Sequence, residues 1–149
     1  MAELLFYHLE RSTLEAVLPQ LLEKTLERGW TAVVRAGSPE RVKALDAHLW
    51  TYRDDAFLPH GAEGEGHEDI QPVLLTTGTD NPSGANVLFV VDGADITGVE
   101  TYQRCVLMFD GADPSAVARA REHWKAVKAD GHDATYWQQS EQGRWEKKA

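Results

Sequence analysis

The chain of 149 residues carries 15 Lys and Arg against 24 Asp and Glu, a formal net charge of −9, and a single cysteine. That length suits one compact domain burying roughly 68–70% of its unfolded surface, so a core needs neither disulfide nor metal. The acidic balance excludes broad binding to a phosphate backbone, one cysteine excludes an internal disulfide and points to a reducing compartment, and no apolar run approaches the ~20 residues of a membrane helix.

No signal-peptide pattern opens the sequence, so a cytoplasmic protein is expected. Residues 4–9 (LLFYHL) read as a buried strand. A helix follows. Ser12 and Glu15 have capping-box spacing, Leu14, Val17, Leu18, Leu21 and Leu22 share one helical face, and Gly29 is the stop. Pro19 lies inside that pattern and predicts either a kink or a later start. Residues 31–36 (TAVVRA) are a second short strand. Residues 38–50 form a second helix, with Ser38 as N-cap, Pro39 at the first position and a stripe of Val42, Leu45 and Leu49. Residues 51–71, rich in Gly, Pro and acid, read mostly as loop.

Three further strands are PVLLTT (72–77), NVLFVVDG (86–93) and CVLMFDG (105–111). The last two are continuous apolar runs ending in Asp-Gly, the pattern of strands covered on both faces in a parallel sheet. A late helix then has Asp113 as N-cap, Pro114 at its first position and Gly131 as its stop. Residues 134–149 are a C-terminal extension that forms a short strand or hairpin or stays partly disordered, and that completes the sheet or covers a surface. Strands alternating with helices imply an α/β protein. We expect a single three-layer domain over residues 1–149, with a mostly parallel or mixed sheet of about five strands flanked by helices, Rossmann-like without a nucleotide-binding loop.

GAEGEG (61–66) is not G-x-G-x-x-G, does not sit in the first strand-to-helix turn, and carries Glu63 and Glu65, which repel a pyrophosphate. No cofactor is expected. His60, Glu63, Glu65, His67, Glu68 and Asp69 crowd together, but the two histidines lack H-E-x-x-H spacing. A solvated acidic loop is the favoured reading; a metal-dependent hydrolase using the stretch from His60 to Asp69 is the enzymatic alternative. Cys105 sits in an apolar strand, where a thiol behaves as a small hydrophobe. Asp92 and Asp95 flank a turn, where Asp bonds the backbone.

The late helix gathers cations in an acidic chain. Val117, Ala120, Trp124 and Val127 form its apolar face; Arg121 lies one turn from Val117 and from Lys125, and Lys128 follows. Two readings stay open: an amphipathic helix with solvated charges, or a docking strip for an acidic, apolar-tipped peptide. In the second, an Arg fork holds a carboxylate with two bonds and an aromatic ring takes the apolar side chain.

Three stretches carry a resemblance: LLFYHL at the start, ALDAHLWTYRDDAFLPHGAEGEG in the middle, and NVLFVVDG followed by the helix ARAREHWKAVKADGHD. In this order they resemble the chi subunit of bacterial DNA polymerase III, the HolC family. The resemblance implies a non-catalytic accessory subunit of the clamp-loader complex, with nucleotidyltransferase activity residing in another subunit. It implies binding to the acidic C-terminal tail of single-stranded DNA-binding protein (SSB), which ends in a Phe with a free carboxylate. DNA would then be met only through SSB, and no membrane would be involved.

By the resemblance, the tail pocket takes Trp50, Arg121 and Trp124, so Trp50 and Arg121 are expected to face one cleft. The family's Lys near the start of the late helix falls at Val117, a departure for which Lys125 or Arg119 is expected to compensate. Phe57, with Leu58 and His60, matches the surface for a second partner: the psi subunit or a DinG-type helicase. A purely structural protein that holds an oligomer together is the remaining alternative.

Overall fold

The structure, a computed structural model, describes residues 3–10, 12–52, 58–140, 142 and 144–149. One sheet of eight strands organises it: β1 (Glu3–Leu9), β2 (Ala32–Arg35), β3 (Gly61–Ala62), β4 (Val73–Thr76), β5 (Val87–Val90), β6 (Arg104–Asp110), β7 (Asp133–Gln139) and β8 (Trp145–Lys147). Their order is β3-β4-β2-β5-β6-β1-β7-β8, and every pairing is parallel except β7 with β8.

The five strands expected from the sequence are β1, β2, β4, β5 and β6. The sheet gains β3 from the stretch read as loop, and β7 and β8 from the extension. β2, β4 and β5 are buried at every position, which accounts for their unbroken apolar sequences in a sheet covered on both faces.

Helices α1 (Leu14–Glu27) and α2 (Pro39–Thr51) cover one face, and α3 (Pro114–Ala129) covers the other. The two cores show this directly. Leu18, Leu22, Leu45 and Leu49 pack with Val34, Phe89, Val106 and Met108. Ala120 and Val127 pack instead with Phe6, Val33, Leu88, Cys105 and Leu107.

The N-cap of α1 is Thr13, whose Oγ1 accepts from Ala16 N at 3.2 Å, rather than Ser12. Ser12 is occupied elsewhere: its hydroxyl accepts from Gln139 Nε2 at 3.1 Å, at the end of β7. Pro19 neither stops nor delays the helix. A proline there cannot donate to the carbonyl of Glu15; His48 Nε2 of α2 bonds that oxygen at 2.6 Å instead. Ser38 caps α2 as expected. Asp113 caps α3, its Oδ1 accepting from Ser115 N at 2.9 Å, and Gly131 ends it at φ +81°.

Candidate functional site

The side of α3 that leans toward β7 carries a mixed strip. Trp124 is half-buried, edge-on to Phe6 (5.3 Å between centroids, 76°) and to Tyr136 (6.0 Å, 82°). Tyr136 in turn bonds His8 Nδ1 through its hydroxyl at 2.7 Å, so β1 and β7 together hold the indole in place. Val117 is half-buried against the same core.

Around this apolar base stand cations. Arg121 and Lys125 are exposed, and Lys128 Nζ lies 5.5 Å from the Trp124 ring centroid. Burial raises the Tyr136 hydroxyl pKa, and the nearby positive charge of Arg121 pulls it back. Val117, Arg121, Trp124 and Lys128 recur at i, i+4, i+7 and i+11, a single stripe along the helix. Chemically the strip offers a guanidinium and an ammonium beside a fixed indole: partners for a carboxylate and for an apolar side chain.

One of its members, Tyr136, extends the sequence reading. Lys128 was visible as a cation one turn beyond Trp124. Tyr136 reaches the strip only because β7 pairs with β1, a contact between distant segments. Arg119, expected from the resemblance as one substitute for a lysine at Val117, lies off the strip: its Nε donates to the Gly93 carbonyl on the opposite flank of α3, near β5.

Trp50 lies elsewhere. It sits at the end of α2, 52% exposed, with its ring centroid 4.4 Å from that of His60. Because α2 and α3 cover opposite faces of the sheet, the structure does not bring Trp50 together with Arg121 and Trp124; a cleft shared by all three does not form. The physical cause is the crossover after β2, which puts α2 beside α1, while the crossover after β6 runs over the other face. Leu58 (2% exposed) and His60 (6%) are buried, His60 against the Trp50 ring, and Phe57 falls outside the described residues.

The polar side chains of the acidic loop are engaged within the domain. Both ring nitrogens of His60 face acceptors, the Leu58 carbonyl at 2.7 Å and Asp46 Oδ1 at 3.0 Å. Glu63 accepts from both hydroxyls of Thr76 and Thr77, Glu65 from Ala62 N and Glu68 from Gly64 N. Among the described residues no group of three or more His, Cys, Asp or Glu is placed to hold a metal ion.

An α/β sheet of this kind binds nucleotides outside the carboxyl ends of its strands, where crossovers diverge. Here β1 and β6 are neighbours whose crossovers leave on opposite faces, and a cleft of about 680 Å³ opens beyond them. Glu10, Glu15, Asp92, Asp110 and Asp113 line it. Arg41 in that cleft is already held by Glu15 at 3.1 Å and Asp92 at 2.9 Å. Arg119 also lines the cleft, whose side chains are acidic on balance.

The family model of the DNA polymerase III chi subunit, HolC, matches residues 1–135. This chain belongs to that family. A curated relative, the probable DNA polymerase III subunit chi of Rickettsia prowazekii (strain Madrid E), is 25% identical over 109 residues, which make up 73% of this chain and 66% of the relative. The match thus spans just under two thirds of that relative's length. The family match covers the whole of α3 and ends inside β7, so β8 with Trp145 lies beyond it.

Proposed function

We propose that this chain is a non-catalytic accessory subunit of the bacterial DNA polymerase III holoenzyme, and that the α3 strip binds the acidic C-terminal tail of SSB. Through that contact it links coated single strands to the clamp-loader-associated machinery, while nucleotidyl transfer belongs to another subunit. The observation that carries this reading is the setting of Trp124: fixed by Phe6 and Tyr136, flanked by Lys128 and with Arg121 one turn away, on a protein of net charge −9. An acidic protein that presents cations beside an indole is suited to an acidic peptide with an apolar end. A polyanionic strand would meet the rest of its surface as repulsion.

In this reading Arg121 grips a carboxylate of the tail, Trp124 and Val117 receive its apolar side chain, and Lys125 and Lys128 add long-range attraction that salt weakens. A charge-assisted bond of this kind is worth about 1.5–3 kcal/mol. Calorimetric titration with an SSB-tail peptide is therefore expected to show Arg121→Ala weakening binding about tenfold or more. An unchanged affinity rejects the site. Trp50 supports a second contact: an exposed indole on the opposite face, backed by buried His60, suits an apolar partner surface such as the psi subunit or a DinG-type helicase.

A further inference from the structure

A second basic and aromatic feature lies where neither of these surfaces reaches. On the face covered by α1, a pocket of about 270 Å³ opens between the C-terminal half of that helix and the beginnings of β5 and β6. Its floor is apolar: Leu5, Val87, Phe89 and Val106. Its rim is not. Lys24 and Arg28 are exposed and lie one turn apart on α1, and Arg104 starts β6. The Arg28 guanidinium carbon sits 4.1 Å from the Trp30 ring centroid, and that of Arg104 sits 5.5 Å from it. Two cations thus share one indole, with Lys24 close by. Among the described residues Glu3, 3.0 Å from Arg104, is the one carboxylate ion-paired with any of the three.

We propose that this pocket is a docking site for an internal acidic segment of a partner protein, with an apolar side chain seated in the pocket and flanking carboxylates on Lys24, Arg28 and Arg104. Size selects an anchor side chain, because cofactor and drug-sized sites run from about 300 to 1,000 Å³. Charge selects acid: three cations gathered around an apolar hole in a chain of net charge −9 are complementary to carboxylates. Ring geometry argues for peptide over single-stranded nucleic acid. A base needs an open aromatic face, but Trp30 is engaged by Arg28 and Arg104, and Tyr7 on the rim stacks on Trp145 at 4.7 Å.

The test uses the full chain and three probes in fluorescence anisotropy: a labelled Asp-Asp-Leu-Asp-Asp peptide blocked at both ends, the same peptide with Ala for Leu, and an oligothymidylate. Blocked ends remove the terminal carboxylate that the SSB tail offers and an internal segment lacks. Binding of the Leu peptide is expected, weakened about tenfold or more by Lys24→Glu or Arg28→Glu, exposed positions that the fold tolerates. The Ala peptide is expected to bind more weakly, and Arg121→Ala is expected to leave the Leu peptide unaffected. Equal binding of Leu and Ala peptides, absence of peptide binding, tighter binding of oligothymidylate at the same cations, or loss of peptide binding in Arg121→Ala would each overturn the proposal. The last of these would leave the α3 strip standing.

Discussion

Arg35 is 1% exposed, and its guanidinium donates to four backbone carbonyls: Gly78 at 3.0 Å, Thr79 at 3.4 Å, Asp95 at 2.7 Å and Thr97 at 2.9 Å. It ends β2 and fastens the loops that follow β4 and β5. Removing such a group leaves several partly buried acceptors without their donor and opens a cavity at a buried position, a loss of about 3–5 kcal/mol by analogy with broken buried charge pairs. For a chain of this length, Arg35→Ala is therefore expected to lower Tm by roughly 6–20 °C in a thermal melt. A shift of a degree or two would show that water replaces the guanidinium. Cys105 gives a second test. Burial pushes its thiol up to about 12, against an unfolded value of about 8.5. Between those values the folded chain keeps a proton that the unfolded chain releases, so stability falls as pH rises, by about 1.4 kcal/mol per pH unit. Well below pH 8 the group contributes almost no slope. Denaturant titrations from pH 8 to 11 are expected to show this decline, flattened in Cys105→Ala. Tyr7, Tyr102 and Tyr136, each raised by burial, continue it at higher pH.

At the scale of elements, the C-terminal hairpin separates scaffold from site. β7 pairs with β1 along its length and brings Tyr136 to one face, while β8 places Trp145 on the other, stacked 4.7 Å from Tyr7 at 26°. Trp145→Ala loses that stack and part of the cover over Tyr7, an expected cost of about 1–3 kcal/mol in chemical denaturation. Because Trp145 lies away from α3, the same variant is expected to bind the SSB-tail peptide as the parent does; a tenfold loss would mean the hairpin shapes the strip. The hairpin also shows what local sequence withholds. α3 was legible from Asp113, Pro114 and Gly131 because caps and stops are chemistry of a few adjacent residues. β7 (DATYWQQ) is half-buried at most positions, so it lacks the unbroken apolar signature of β4 and β5. Its place beside β1 depends on the whole crossover through α3. β3 has two residues, too few to display any period. The shift of the α1 cap from Ser12 to Thr13 has the same origin, since Gln139 claims Ser12 from across the sheet.

For the molecule as a whole, the sheet is the partition. Periodicity placed Val117, Ala120, Trp124 and Val127 on one apolar face bordered by Arg121, Lys125 and Lys128, yet nothing in periodicity says which face of the sheet a helix covers. That is why Trp50 could be associated with Arg121 in the sequence and stand on the opposite face in the fold. The separation has a thermodynamic consequence. Two sites couple only when ligands at each bias a shared equilibrium, and residues without shared partners act additively. Trp50 rests on His60, and Trp124 on Phe6 and Tyr136, with the sheet between. Calorimetry with the SSB-tail peptide is thus expected to give Trp50→Ala an affinity within about twofold of the parent, while Arg121→Ala loses about tenfold. The double variant is expected to equal the product of the two. If Trp50→Ala weakened the tail as much as Arg121→Ala does, and the double variant added nothing further, the two residues would belong to one pocket. Independence is also the property that the proposed tether needs: holding SSB on one face and a second protein on the other would raise the local concentration of each for the other without a choice between them.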